Sequence, residues 1–514
     1  MYNKSPFADW VPKPIMLLLI IIILFPLTAV SGVYMGNATD IAGALATYNE
    51  YISLANNASA IGMGLGILIA MRIKMRFRSK EIISVSCILL ALLSYMCGTA
   101  NNPWVLVIGS LLINFIKIFP IIEMILPVMF ILSPSGDKGR FYAIFYPIMI
   151  AFGQVSSYFF ANLVYNSSWQ SPYLIMSAMM LVVAAVSLIF QHNQRFCFKK
   201  PLYYIDWLTM LLLTIAMMSL NIALTFMRQQ GWMISPYIRW ALFLFVVFLG
   251  LTAYRQRFLK RKMIDLSIFT RTNVWHSMLL LLFLGIYLAS SSVFSQYVVG
   301  VLGYNNLINA QLNLWMIPGM ILAGVYAFFS FKNRWNLKYY IATGFIAFFL
   351  HTLCLYLLLQ LQMDITYLQA IMTLKGLGMG ILFIGIWYYA SVGLEMNQLF
   401  GLMCILLMLR SFISTALGGA ILSWATYNAQ WQSLNDIGSM LDMGNFANGM
   451  LLYRSLNLNA LMASGKIVLG ALCWFTLPVL VFVLTHHYGQ FNYRRVILFR
   501  KAIRGNSIKG YRLT

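Results

Sequence analysis

Acidic residues are scarce in this sequence. The 514 residues include 12 Asp and Glu against 35 Lys and Arg, and charged residues of both signs make up only 9%. A soluble globular domain carries about 25% charged and roughly 45–50% apolar residues. This chain is 61% hydrophobic, with a mean hydropathy of +0.80. Those values exclude a soluble enzyme with one anchor, and a disordered or fibrous chain. Cysteine is sparse too. Cys87, Cys97, Cys197, Cys354, Cys404 and Cys473 are scattered, mostly in apolar runs and without CxxC spacing. That pattern supports neither a disulfide framework nor a zinc site. The histidines, His192, His276, His351, His486 and His487, form no HxxxH or HExxH pattern. No metal or other cofactor is expected. No Walker A sequence is present, so uphill transport would draw on an ion gradient or on another subunit. Nor do polar catalytic groups cluster near one leaflet, so no enzyme activity is expected.

Long apolar runs, by contrast, are abundant. A membrane-crossing helix needs about 20 mostly apolar residues. Fourteen runs qualify: 15–36, 52–71, 82–99, 104–131, 141–163, 172–190, 207–227, 237–254, 275–299, 308–331, 339–360, 366–390, 399–424 and 464–485. Their continuity lacks the alternation of a membrane barrel. The first is too long for the roughly 7–15-residue apolar core of a cleaved signal peptide.

An even count with the N-terminus inside puts both ends in the cytoplasm. The cytoplasmic segments then hold 28 Lys and Arg, among them Arg72, Arg76, Arg78 and Lys80 between spans two and three. The outer segments hold four (Arg228, Arg239, Arg454 and Lys466), and three lie within spans. This asymmetry follows the positive-inside rule. It makes the net charge of +23 a matter of topology, facing anionic lipid headgroups rather than nucleic acid. The expected fold is an all-α polytopic membrane protein with 14 transmembrane helices in a 6+2+6 arrangement and cytoplasmic N- and C-termini. The divisions are an N-terminal six-helix bundle (1–191), two linker helices with basic flanks (192–271), a C-terminal six-helix bundle (272–490) and a basic cytoplasmic tail (491–514). One long outer loop is expected at 425–463. Gly62, Gly64 and Gly66 lie inside a span, where small residues let helices approach closely.

Ionisable groups at membrane depth are costly and face a cavity or a partner. Four stand out. Lys117 and Glu123 lie in span four, Lys375 in span twelve and Arg410 in span thirteen. Lys117 reads as a cavity-lining cation or as one member of an interhelical pair. Asn114 lies one turn before it, on the same face. Lys375 has the same two readings. Glu123, six positions after Lys117, is badly placed to pair with it but can pair with another helix. Burial suits a carboxylate to reversible protonation, so Glu123 is a proton-coupling candidate as well as a structural one. Arg410 reads as a structural charge tying helices together. Among the aromatics, Trp387, Tyr388 and Tyr389, with Phe294, Gln296 and Tyr297, are either pathway-lining residues or an interfacial belt.

Several local patterns occur in order along the chain. Ile205-Asp206-Trp207-Leu208 opens span seven like D-W-L-G. Ile264-Asp265-Leu266-Ser267-Ile268-Phe269 precedes span nine like P-L-D-L-x-L-F. Gln296-Tyr297-Val298-Val299-Gly300-Val301-Leu302-Gly303-Tyr304 is similar to Y-L-Q-x-V-L-G-Y. Met316-Ile317-Pro318-Gly319 follows like L-L-P-x-G, Lys375-Gly376-Leu377-Gly378-Met379-Gly380 resembles R-G-L-G-x-G with Lys for Arg, and Arg410 followed by Gly418-Gly419 resembles R-x-x-G-G. With the 6+2+6 layout, the whole chain resembles the major facilitator superfamily, specifically its fourteen-span drug:proton antiporter branch (EmrB/QacA type).

That resemblance implies two pseudo-symmetric six-helix bundles around a central cavity, with alternating access. It also implies proton-coupled export of amphiphilic small molecules across a bacterial inner membrane, as a monomer, and it admits a periplasmic adaptor as partner. Arg72, Arg76, Arg78 and Lys80 fall in the cytoplasmic gating loop. Asn114, Lys117, Lys375, Gln296 and Tyr297 fall where the substrate cavity is expected. The loop between spans two and three, where Phe77-Arg78-Ser79-Lys80 echoes F-G-R-K, lacks that motif's preceding acidic position, and spans one, four and five also depart from the branch. Span one lacks the Asp of L-D-x-T. Span four has Asn114-Phe115-Ile116-Lys117 in place of R-x-x-Q. Span five has Gly153-Gln154-Val155-Ser156-Ser157 in place of the antiporter motif G-P-x-x-G-G. By symmetry spans four and twelve are counterparts, each with one lysine. Lys117 and Lys375 facing one cavity would favour an anionic or zwitterionic substrate. A transporter for a specific anionic metabolite or siderophore-like compound, possible also as a symporter, is therefore the second expectation. A non-transporting receptor or scaffold is the third.

Overall fold

A computed structural model describes residues 7–485 apart from 9, 133–137, 194–200, 260–261, 334, 393, 395 and 440–448. The basic tail 491–514 and the basic residues within 194–200 and 260–261 lie outside the described residues. The described chain is helical, with one isolated bridge between Phe7 and Gln191. Its helices are α1 (Lys13–Ala29), α2 (Ala38–Ala44), α3 (Asn49–Arg76), α4 (Ser79–Gly98), α5 (Pro103–Leu132), α6 (Lys138–Asn166), α7 (Ser171–Phe190), α8 (Trp207–Phe226), α9 (Pro236–Phe258), α10 (Thr272–Gln296), α11 (Asn306–Leu314), α12 (Met316–Lys332), α13 (Leu337–Leu358), α14 (Ile365–Ser391), α15 (Met396–Met408), α16 (Ser414–Ser439) and α17 (Gly449–Thr485). A π-helical segment, Tyr297–Val301, extends α10, and a second, Leu409–Ile413, joins α15 to α16. Among the described residues thirteen helical rods are long and apolar enough to cross a membrane, and α1 is a shorter apolar helix. All fourteen apolar runs fall on these elements. The chain is a multi-pass membrane protein.

The helix ends carry local signals. Pro103 opens α5, where a missing N–H costs nothing, and the Asn102 side chain accepts from Trp104 N at 3.0 Å. Asp364 caps α14 by accepting from Thr366 N, and Asn305 caps α11 by accepting from Ile308 N.

Two expected loops are largely helix. The basic stretch 72–81 is not a ten-residue loop. Arg72 and Arg76 ride on the last turns of α3, Lys80 lies in the first turn of α4, and only Phe77 and Arg78 connect them. Lys and Arg are good helix formers, so the helix runs past the end of its apolar stretch. The Arg78 N–H then donates to the Glu81 side chain at 3.1 Å and closes the turn. The outer loop 425–463 is likewise replaced by helix through Ser439 and from Gly449. Hydropathy marks where a helix leaves the lipid, not where it ends. The rod Gln398–Ser439 has 42 residues, about 63 Å at 1.5 Å per residue, twice the roughly 30 Å hydrocarbon thickness. Gln430 of α16 donates to Asn457 of α17 at 3.0 Å across the projecting pair.

The helices pack as two sets. In the first, α3 lies against α5 and α4 against α7; in the second, α12 lies against α14, α13 against α14 and α10 against α16. The α3/α5 and α12/α14 contacts are made close by glycine. Gly62 abuts the Leu111 carbonyl and Gly66 abuts Ile118; Gly319 abuts the Thr373 carbonyl and Gly376 the Met316 carbonyl. No side chain fits at these crossings, so the backbones touch. Helices α8 and α9 pair with each other at the side, and α8 is tied to α3. There Asn221 donates to the Leu54 carbonyl at 2.9 Å and accepts from Asn57 at 3.0 Å. One face of α9 is apolar and exposed, with Phe243, Val246 and Leu251 open to the surroundings.

Candidate functional site

The Phe7–Gln191 bridge sets the start of the chain beside the end of α7. The same end carries Lys74 and Arg76 at the end of α3, and is called the basic end below. Here Glu123, near the end of α5, is 3% exposed and accepts from Lys74 Nζ at 2.6 Å and from Ser79 Oγ at 3.1 Å through Oε2. Oε1 is buried with no hydrogen-bond partner among the described residues. Glu123 is also the one buried carboxylate among them. Arg72 reaches the Lys262 carbonyl at 3.4 Å, which ties α3 to the segment after α9.

Deeper in, Lys117 is 5% exposed and donates to the Val30 carbonyl at 2.8 Å. Val30 is the C-cap of α1. A helix C-terminus offers unsatisfied carbonyls and the negative end of its dipole, which suits a cation. Lys375 is 3% exposed and donates to Ser291 Oγ of α10 at 2.7 Å. The Ser291 hydroxyl in turn donates a hydrogen bond to the Leu288 carbonyl at 2.7 Å. Each lysine thus sits on the fourth long helix of its set and is held by an oxygen of the first. Neither has a carboxylate within ion-pair distance among the described residues. Arg410 lies on the π segment. Its guanidinium carbon stands 4.5 Å over the Phe383 ring of α14, and its hydrogen bond to Ser411 is long, at 3.4 Å.

The two sets meet in part beside Arg410. Gly324 of α12 packs on Pro147 and the Ala143 carbonyl of α6, Gly64 of α3 packs on Met408, and the Tyr146 ring of α6 lies 6.2 Å from Trp387 of α14. At the end opposite the basic one, Asn306 beside α11 donates to Thr39 of α2.

No protein-family profile matches this sequence, and no characterised protein matches it by sequence. Solved structures do match in three dimensions. A bacterial homolog of the human lysosomal transporter Spinster, inward-facing and unoccupied, superposes with a TM-score of 0.56 at 12% identity, over 92% of this chain and 97% of that one. Its inward-facing, occupied form gives 0.55 at 13%, with the same coverage. A mutant of the nucleoside transporter NupG gives 0.52 at 11%, over 90% of this chain and 98% of that one. This chain has the major facilitator fold. Identities this low carry the architecture and leave the substrate open.

Within the major facilitator fold the remaining candidates have other surroundings. Asn114 turns back to its own helix and donates to the Ser110 carbonyl at 2.9 Å. Gln296 is exposed at the end of α10, beside a small apolar cleft that Tyr297 also lines. The Tyr297 hydroxyl donates to the Gln360 carbonyl at 2.7 Å, which ties α10 to the end of α13. Trp387 and Tyr389 are 5% and 2% exposed, so they do not form an interfacial belt. Sequence reasoning counted Lys74 among the loop charges and gave no role to Ser79, Ser291, Tyr146 or Phe383. Only the long-range pairing of helices reveals them. The two π segments fall on two of the patterns read from sequence, the one around Tyr297 and the one at Arg410.

Proposed function

We propose that this protein is a secondary active transporter. It moves small amphiphilic molecules across the membrane by alternating access between a bundle at 1–191 and a bundle at 272–490, without transforming them. The basic end faces the cytoplasm, in accord with the positive-inside rule, and export is coupled to protons. The observation that carries the reading is a set of ionisable groups, Lys117, Glu123, Lys375 and Arg410, buried or half-buried within two glycine-tightened helix sets, in a fold shared with solved transporters. Groups placed so expensively are retained for a pathway. Glu123 is the proton-coupling residue in this reading, because it is the buried carboxylate with an oxygen left open. The second reading, an anionic substrate, is favoured by Lys117 and Lys375, which bring two positive charges into the interior without a matching acid.

The test is a proteoliposome assay that follows lumenal pH and substrate flux for cationic, neutral and anionic amphiphiles, with wild type beside Glu123→Gln. Proton flux opposite to substrate flux, lost in the variant, is the expected result. Substrate flux indifferent to the proton gradient and to Glu123 would remove proton coupling and leave a transporter driven otherwise.

A further inference from the structure

Arg410 is placed differently from the two lysines. Each lysine is buried inside its own helix set and satisfied by a neutral oxygen. Arg410 is half-buried, beside the contact between sets. A guanidinium has five N–H donors. This one makes a single long hydrogen bond to its neighbour Ser411 and has no carboxylate within ion-pair distance among the described residues. An arginine held this way within a membrane lacks its counter-charge.

Three further observations converge on the same spot. Arg410 rides on the π-helical segment Leu409–Ile413; such bulges interrupt an α-helix at a cost and occur frequently at functional sites. Phe383 and Trp387 lie one turn apart on α14, on one face. Phe383 holds the guanidinium by its ring, and Trp387 is 5% exposed with its Nε1 donor unpartnered among the described residues. Tyr146 approaches from the other set. It touches the Trp387 ring and lies within electrostatic reach of Arg410. One cation, one idle N–H donor and three aromatic rings thus stand together where the sets part and rejoin.

We propose that Arg410, Trp387, Phe383 and Tyr146 form the substrate subsite, and that its ligand is an organic anion with a flat apolar body, such as an aromatic carboxylate or sulfonate. The guanidinium takes the anionic head as a two-pronged donor, and the rings take the apolar body. Because Tyr146 belongs to one helix set and the other three residues to the other, a bound anion bridges both. This assignment rests on the transporter reading and narrows it to one substrate class.

Three probes of one shape test it: naphthalene-2-carboxylate, its neutral alcohol and its cationic methylamine. Equilibrium binding to the full-length protein in nanodiscs is measured by calorimetry, and flux is measured in proteoliposomes. The carboxylate is expected to bind at least about tenfold tighter than the other two, the worth of one charge-assisted contact. Arg410→Gln should abolish that preference, Arg410→Lys should keep part of it, and Trp387→Phe should weaken the carboxylate while preserving the fold. If a glutamine variant is lost to misfolding, the lysine and phenylalanine variants still decide. Equal binding of all three probes, no binding of any, or a preference that survives Arg410→Gln overturns the subsite. Carboxylate binding that follows the variants as expected, with no wild-type flux under any gradient, overturns the transporter reading and leaves the subsite standing.

Discussion

Lys74 and Glu123 are 2% and 3% exposed and 2.6 Å apart. Charges that deep are held by each other. Breaking a buried pair by removing one member costs about 3–5 kcal/mol, whereas replacing both with apolar residues of similar size is often neutral or better. Lys74→Met and Glu123→Leu should therefore each lower the thermal midpoint of the detergent-solubilised protein, and the double variant should recover most of the loss. Additive losses in such a cycle would show that the two side chains are not coupled. The same pairing bears on Glu123 as a proton carrier. In the proposed cycle a proton loaded on the carboxylate weakens its ion pair with Lys74 and so loosens the junction of α3, α4 and α5 at the basic end. The sequence shows Glu123 as a buried acid but gives no partner for it, because its cation lies 49 positions away on a helix that hydropathy ends too early.

The linker helices α8 and α9 show the same logic at the scale of elements. Asp206 stands at the N-cap position of α8 and pairs with Arg255 of α9 through two contacts, at 2.8 and 2.9 Å. Next to it Thr209 donates to Asp206, and Gln256 donates to Thr209 while accepting from Met263 N and Ile264 N. The D-W-L pattern read from sequence is thus the latch of a helical hairpin. The Arg255 guanidinium holds the Asp206 carboxyl below its usual range. A depressed carboxylate contributes stability above its unfolded pKa, about 4, and loses it as pH falls through the folded value. Asp206→Asn should lower the thermal midpoint at neutral pH, and its gap from wild type should close below about pH 4. A gap that persists at acid pH would mean that the latch does not depend on the charge. Asp265 is also held low, by hydrogen bonds from Ser267, and Gln398 of α15 donates to it at 3.3 Å.

For the molecule as a whole, the two helix sets touch at both ends. Gly139 meets Phe331 at the basic end, and Thr39 meets Asn306 at the other. Alternating access requires these contacts to break in turn. A disulfide between Thr39→Cys and Asn306→Cys should stop transport, and reduction should restore it. Full activity of the cross-linked protein would show that this end stays closed throughout. The crossings made tight by Gly62, Gly319 and Gly376 lie within the sets rather than between them, as the proposed movement of each set as a unit requires.

Much of this was legible in the amino-acid order alone. Fourteen apolar runs set the crossings, because the length of a run against the thickness of a bilayer is a local quantity. The resemblance to a fold was legible too, carried by short patterns in sequence order. The extents of α3 and α16 were not, because helix propensity and hydropathy end at different residues. The partner of each buried charge was not legible at all. Lys117 meets a carbonyl 87 positions away, Lys375 a hydroxyl 84 away, and Arg410 a ring on α14. The sequence by itself determined that this chain lives in a membrane and which of its residues are charged there at a cost. Only the tertiary structure decided which of those cations are held by an oxygen of another helix, as Lys117 and Lys375 are, and which one, Arg410, has among the described residues only a long bond to its chain neighbour, because compensation of a buried charge is made across helices that are distant in the chain.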